Sequence, residues 1–105
     1  MRLGELIKWL EQQDGTLTVP HGFGLPNSYR GYYNDVAFEP ANNVTFASML
    51  ANARAALEAT FDGYKGGKYR MDNDSGCFIA EWGCLGEEIG PTILALWAVT
   101  AAAAD

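Results

Sequence analysis

Residues 42–63 of the chain read NNVTFASMLANARAALEATFDG, and this stretch decides the fold because it holds the most regular apolar pattern in the sequence. Apolar side chains recur there at the three- and four-residue spacing of one helix face. They are Phe46, Met49, Leu50, Ala53, Leu57 and Phe61. Asn43 or Thr45 can cap the start of this helix, and Gly63 suits the left-handed position that ends one. The pattern predicts a helix over about residues 45–60.

Two more helices are predicted, one before and one after this stretch. The first covers about residues 3–13, with Trp9 beside its apolar stripe. The stripe consists of Leu3, Leu6, Ile7 and Leu10. The last helix opens at Pro91, because proline is favoured in the first turn of a helix, and residues 92–99 are expected to be its buried body. The apolar run at residues 93–104 is about half as long as a membrane span, which indicates a core helix followed by a frayed alanine tail.

Four short strands are expected between the helices, at about residues 16–19, 35–39, 68–71 and 77–82. Pro20 should end the first strand or place it at a sheet edge, because proline cannot donate to the hydrogen-bond ladder. Pro40 should close the second strand. The turn-forming residues 72–76 predict that the last two strands pair as a hairpin. The predicted fold class is α+β, a small, mostly antiparallel sheet packed against about three helices, in a single domain over residues 1–105.

The composition restricts the function classes to which the chain can belong. Seven basic and 13 acidic residues give a formal charge of −6, so a phosphate backbone is repelled and general nucleic-acid binding is not expected. The one histidine and the spacing of Cys77 and Cys84 fit no metal pattern. The sequence predicts a non-catalytic, cytoplasmic protein with no metal, no cofactor and no membrane segment. Both cysteines are expected to be reduced; a disulfide between them is the alternative.

The glycine- and aromatic-rich stretch at residues 20–33 is the first candidate binding site. Clustered glycines usually serve a backbone geometry that other residues cannot adopt, and loops of this length tend to be functional or disordered. The side chains that can stack on rings or bind anions are His21, Ser28, Tyr29, Arg30, Tyr32 and Tyr33. One interpretation is a pocket for a small anionic or aromatic ligand. The other is a loop held to the surface by its own aromatic residues, with Arg30 in an internal ion pair.

The second candidate is the basic segment at residues 63–70, which holds three of the seven basic residues. Its ligand-binding candidates are Lys65, Gly66, Gly67, Lys68 and Arg70. The cationic side chains could hold phosphates, and the backbone of the two glycines could form an anion-binding nest. The alternative is a glycine turn followed by an exposed strand whose lysines discourage edge pairing. Trp82 completes the candidate set as a further ring for stacking.

Several short strings together resemble a family of small uncharacterised proteins from bacteriophages and bacteria. They are HGFGLPNSYRGYY at residues 21–33, AFEP at 37–40, GYKGG at 63–67 and EWG at 81–83. The resemblance covers most of the chain and carries no established activity. It implies an accessory protein that counters host defence, as many small phage proteins do. Some of these sequester nucleotide immune signals, and others, such as anti-CRISPR proteins, block a protein directly; this is an analogy of genome context.

Two function hypotheses follow from these patterns. The first is a non-catalytic protein in the host cytoplasm that sequesters a small nucleotide-like anion, with arginine and lysine on the phosphates and aromatic rings on the bases. The second is a protein-binding inhibitor without a small-molecule pocket, either anti-CRISPR-like or a nucleic-acid mimic. A homodimer is also expected, because the aromatic content exceeds the evident need of so small a core and exposed apolar patches often mark interfaces.

Arg30 is the residue on which the first hypothesis depends most, because it lies within the densest aromatic stretch. A guanidinium can stack on a ring and also fork two hydrogen bonds to a phosphate, whereas lysine lacks the plane. We expect Arg30→Lys to weaken ligand binding by about 1–3 kcal/mol and to leave the melting temperature of the free protein unchanged. A loss of stability in the free protein would instead identify Arg30 as a structural tie, and no change in either quantity would exclude both roles.

Overall fold

The described residues form the three helices that the sequence predicts. A computed structural model describes residues 1–27, 34–58, 60–62, 68–81 and 84–103. The helices are α1 (Leu3–Glu11), α2 (Phe46–Glu58) and α3 (Pro91–Thr100). Thr45 caps α2, since its Oγ1 accepts a hydrogen bond from Ser48 N at 3.1 Å. The predicted end of α2 at residue 60 is wrong, because the chain is already in a strand at Thr60; Phe61 therefore does not lie on the helix face.

The described strands form two sheets. One has five strands in the order β6-β5-β2-β1-β7, and the other pairs β3 with β4. The strands are β1 (Leu17–Asn27), β2 (Asp35–Thr45), β3 (Thr60–Asp62), β4 (Lys68–Arg70), β5 (Gly76–Glu81), β6 (Cys84–Glu88) and β7 (Ala102–Ala103). Only β2 and β5 run parallel; the other pairs are antiparallel. The predicted α+β fold with a mostly antiparallel sheet is confirmed.

The first two strands are much longer than predicted, and residues 20–27 are strand rather than loop. β1 and β2 each have 11 residues and pair from Thr18–Thr45 to Asn27–Ala37, with an irregularity between Phe23 and Pro26. Glycine and proline are poor strand formers, but pairing along the whole ladder and burial of Phe23 outweigh local propensity here.

Pro20 and Pro40 lie inside strands rather than at their ends. β7 pairs with β1 only at Leu17 and Thr18. Pro20 therefore lies on a part of β1 whose outer side no described strand covers, so the expected edge position is confirmed and the expected strand end is wrong. Pro40 pairs with Phe23, and β2 continues past it to Thr45.

The predicted hairpin between residues 68–71 and 77–82 does not form. β4 pairs with β3 instead, while β5 pairs with β2 and β6. The turn between them is nevertheless formed: Ser75 N donates to Asp72 O at 3.1 Å, and Asp72 N donates to Ser75 Oγ at 3.0 Å. Turn residues show where the chain reverses, but partner choice depends on which strand buries which apolar face.

Three strands were missed: β3, which begins where the helix was predicted to end, β6, where the sequence indicated a break, and β7, where a frayed tail was expected. β6 contains Gly86, and a Cβ built there would lie 2.5 Å from the carbonyl oxygen of Ile79. Glycine at this position permits a close approach of two backbones, next to the irregular pairing between Phe78 and Ala80. Ala102 and Ala103, which were expected to belong to a frayed tail, pair with β1 as β7.

Aromatic rings link the helices to the sheet. Ring centroids lie 4.2 Å apart for Phe23 and Phe38 and 5.6 Å apart for Phe23 and Trp97. The chain of rings continues from Trp97 to Trp9 at 6.2 Å and from Trp9 to Phe46 at 5.7 Å. Trp97 Nε1 also donates to the carbonyl oxygen of His21 at 2.9 Å. These five rings are core material, and they account for part of the high aromatic content.

α3 is less buried than its sequence predicts. Within it only Leu94 and Trp97 are buried, whereas Leu96 and Val99 expose 55% and 82% of their surface. The expected buried body over residues 92–99 is therefore wrong for half of the helix. Among the described residues, no helix has both the length and the apolar content needed to cross a membrane.

The close approach at Gly86 generates a stability prediction. Gly86→Ala would press a methyl group against the Ile79 carbonyl and Glu81 Cβ, which would lie 2.5 and 2.9 Å away. We expect the free energy of unfolding, measured by urea denaturation, to fall by about 1–3 kcal/mol. Gly24→Ala is the matched control, because the nearest atom to its Cβ would be Ala41 Cβ at 3.5 Å, an ordinary contact. Equal losses in the two variants would refute the steric argument.

Candidate functional site

The strand ladders bring several chain segments to one end of the five-stranded sheet. β2 and β5 begin side by side, with Asp35 paired to Gly76, and β1 ends at Asn27 opposite Ala37. Asn34 O accepts a hydrogen bond from Gly76 N at 3.2 Å. We call this part of the molecule, defined by Asn27, Asp35 and Gly76, the Gly76 end.

The start of α1 is joined to the same end through the turn at residues 72–75. Leu3 N donates to Ser75 O at 2.8 Å, and Gly4 N donates to Asn73 O at 3.0 Å. The first amides of a helix have no partner within the helix, so the turn satisfies two of them with backbone carbonyls. This contact fixes the turn against α1 and explains why Ser75 is buried.

α2 returns to the Gly76 end from the opposite end of the sheet. It starts directly after β2 stops at Thr45, and its residue Leu57 shares a cavity with Gly4 and Asn73. The hairpin of β3 and β4 follows, and Arg70 Nη2 donates to Glu58 O at 3.1 Å. The root of this hairpin is therefore held at the last turn of α2.

Most of the predicted ligand-binding residues lie outside the described residues. They are Ser28, Tyr29, Arg30, Tyr32, Tyr33, Lys65, Gly66, Gly67 and Trp82. The described residues nevertheless place the points to which two of these segments attach. Asn27 and Asn34 flank residues 28–33, and the paired residues Asp62 and Lys68 flank residues 63–67. The first attachment lies at the Gly76 end, and the second lies on the hairpin that Arg70 holds at the last turn of α2.

His21 lies elsewhere. It pairs with Asn42 in the ladder, six residues before Asn27, which corresponds to about 20 Å along a strand. Its Nδ1 lies 3.2 Å from Asn42 Oδ1. Glu81, which precedes Trp82, ends β5 five residues after Gly76. The described geometry therefore separates His21 from Arg70, although the sequence analysis grouped them in one ligand-binding set.

A cavity of about 470 Å³ lies beside the Gly76 end. It is bounded by α1, the last turn of α2 and the turn at residues 72–75, through Gly4, Ile7, Lys8, Leu57, Asn73 and Asp74. Ile7 and Leu57 are half-buried and pack against the core, so they supply an apolar surface. The sequence analysis missed this cavity because its residues come from three segments with no common motif.

Charged residues at the rim of this cavity are largely paired. Arg2 Nη1 lies 3.4 Å from Asp74 Oδ1, and Arg54 Nη2 lies 2.8 Å from Glu11 Oε2. The remaining rim carboxylate, Glu5, accepts the backbone N–H of Arg2 at 3.0 Å. Since exposed ion pairs contribute little to stability, their main effect here is to reduce the negative potential at the rim.

A smaller groove of about 200 Å³ lies between α3 and the sheet. His21, Trp97, Ile79, Ile93 and Leu96 line it, with Glu87 at its edge. Its lining is mainly apolar, and no arginine or lysine of the described ranges contributes to it. This groove suits an apolar group better than a phosphate.

The two cysteines differ in their surroundings, and both are free thiols. Cys77 is buried in the core, and this burial raises the pKa of its thiol to about 12. Nearby Asp35, Glu5 and Glu88 raise it further, against the opposing effect of the N-terminal ammonium group. Cys77 is therefore an inert core residue, and Cys84 is exposed. In the part of the chain that the structure describes, no group of three or more metal-ligating side chains is found.

A scan against protein-family models and searches of curated proteins and of solved structures found no match to this chain.

Proposed function

We propose that this chain is a non-catalytic accessory protein of the phage type, which binds and sequesters a small nucleotide-like anionic ligand, for example to counter a host defence signal. The proposal rests on the places at which two candidate binding segments, residues 28–33 and the hairpin of β3 and β4, attach to the rest of the fold. The segment at residues 28–33, which contains three tyrosines and one arginine, leaves and rejoins the sheet at the Gly76 end. The basic hairpin is rooted through Arg70 at the last turn of α2.

Arg70 provides the cationic group that the described residues supply to this site. Its side chain is exposed, and its hydrogen bond goes to the neutral carbonyl of Glu58. Among the described residues no carboxylate pairs with it. A guanidinium has five N–H donors in a planar fork, so most of its donors stay available for a phosphate.

The overall charge of −6 is compatible with anion binding at this place. Screening limits exposed charges to a range of about 8–10 Å at physiological salt, so a ligand next to Arg70 responds mainly to local groups. A local basic site within an acidic chain binds a small anion and still repels the long phosphate backbone of nucleic acid. The proposed ligand is therefore small.

Calorimetry with a panel of cyclic dinucleotides and ADP-ribose derivatives tests this function. We expect saturable binding of at least one member, weakened by about 1–3 kcal/mol in Arg70→Ala through the loss of a charged hydrogen bond. Arg54→Ala removes the same charge from a guanidinium already bound to Glu11 and is the matched control. Absence of both heat and thermal shift with every panel member would exclude the proposal.

A second candidate, a protein-binding inhibitor of the anti-CRISPR or nucleic-acid-mimic type, is favoured by one observation. The exposed half of α3 presents Leu96 and Val99, and the helix carries no charged residue from Pro91 to Thr100. Exposed apolar patches of this kind often mark interfaces. The same face would serve the homodimer that the sequence analysis expects, since two acidic chains could meet at this uncharged helix without bringing like charges together.

Light scattering tests whether two copies of the chain associate through α3. If α3 pairs with a second copy, the wild-type mass should rise with concentration towards that of a dimer, and Leu96→Asp should remain monomeric. The side chain is already 55% exposed, so melting temperature should change little. A monomer mass at all concentrations would contradict the homodimer, and capture of the same host protein by wild type and Leu96→Asp would contradict an inhibitor face on α3.

A further inference from the structure

The cavity beside the Gly76 end has the volume of a small-molecule pocket. Its volume of about 470 Å³ falls within the range of roughly 300–1,000 Å³ typical of small-molecule pockets. Ile7 and Leu57 provide an apolar wall that is already supported by the core. A flat ring could pack against this wall without displacing a buried residue.

The polar residues of the cavity suit a neutral ring on an anionic ligand. Two of the rim carboxylates, Asp74 and Glu11, are paired with arginines. Lys8 also lines the cavity, and no ion pair of Lys8 is found in the described part of the chain. Among the described residues of the rim, an anionic ligand therefore meets one carboxylate outside an ion pair, Glu5, whose Oε1 accepts the Arg2 N–H, and one ammonium group, that of Lys8.

Asn73 supplies the groups that could recognise the ring. Its side chain lies over Gly4, where a Cβ would be only 3.0 Å from Asn73 Cβ, so the glycine in the first turn of α1 makes room for it. Across the described residues, no hydrogen bond uses the Asn73 carboxamide. A carboxamide offers one donor and one acceptor side by side, which matches the paired acceptor and donor on the edge of adenine.

The backbone of α2 connects Arg70 to this cavity. Its guanidinium is bound to the carbonyl of Glu58, and the preceding residue, Leu57, forms part of the cavity wall. One ligand could thus place its ring in the cavity and a phosphate on Arg70. In a nucleotide one ribose joins the ring to the phosphate, so the two groups are held close together, and this is the chemistry that the juxtaposition fits.

We propose that this cavity is the base-binding subsite of the protein, that it holds the adenine ring of an adenine nucleotide against Ile7 and Leu57, and that Asn73 recognises the ring edge. Arg70 binds a phosphate of the same ligand at the cavity rim. This assignment rests on the proposed function, because it names the ligand class and the position of the ring for that same site.

Titration of ¹⁵N-labelled protein with ADP-ribose and with adenosine tests the assignment. ADP-ribose should shift the backbone amides of Gly4, Ile7 and Asn73, together with that of Arg70. Adenosine, which has no phosphate, should shift the first three and leave Arg70 unchanged. Largest shifts at His21 and Leu96, with the cavity amides unmoved, would overturn the subsite.

Calorimetry on Asn73→Ala gives the second measurement. Its ADP-ribose affinity should fall about tenfold, the loss that corresponds to one or two hydrogen bonds, while its melting temperature stays near that of wild type. Asn42→Ala removes an exposed asparagine near His21 and should bind ADP-ribose like wild type.

The outcomes separate the two levels of the proposal. If the nucleotide panel gives no binding at all, the proposed function fails and the subsite fails with it. If a panel member binds while Asn73→Ala keeps wild-type affinity, only the subsite is wrong. Binding of cyclic dinucleotides that leaves the amides of Gly4 and Ile7 unmoved would likewise reject the subsite and retain the function.

Discussion

The antiparallel ladder between β1 and β2 is the interaction on which the rest of the structure depends. It runs from Thr18–Thr45 to Asn27–Ala37. The other strands of this sheet attach to it, β5 on β2 and β7 on β1. Helices pack on the same ladder: α2 contacts β1 where Gly22 leaves room for Met49, since a Cβ there would lie 2.7 Å from its sulfur. Without this ladder, neither the core nor the Gly76 end would exist.

The parallel pairing of β5 with β2 also sets the position of the candidate site. Because β2 and β5 run parallel and start together at Asp35 and Gly76, the segments that precede them are brought to one end. The turn at residues 72–75 is then held by the first amides of α1, and α2 brings Leu57 and Glu58 to the same place. A cavity forms between elements that are each present for packing reasons, and the residues proposed to bind the ligand lie around it.

The individual elements were more predictable than their partners. The three helices were predicted nearly at their observed bounds, because the apolar stripes of α1 and α2 and the proline that opens α3 are local properties of the sequence. The turn at residues 72–76 was also correct, for the same reason. The hairpin across that turn was wrong: the partners of β4 and β5 are chosen by burial of whole faces, which involves residues far apart in sequence. Gly86 is an example, because a glycine is required there only by the close approach of the Ile79 carbonyl from another strand.

By itself the sequence determined the fold class, the helices, the acidic charge and the segments rich in tyrosine, arginine and glycine, because all of these follow from residue type and spacing along the chain. The tertiary structure alone decided the length of β1 and β2, the separation of His21 from Arg70, and the cavity between Ile7, Leu57 and Asn73. The physical reason is that strand pairing and cavity formation depend on contacts between residues distant in sequence, for which no local pattern of propensity or periodicity exists.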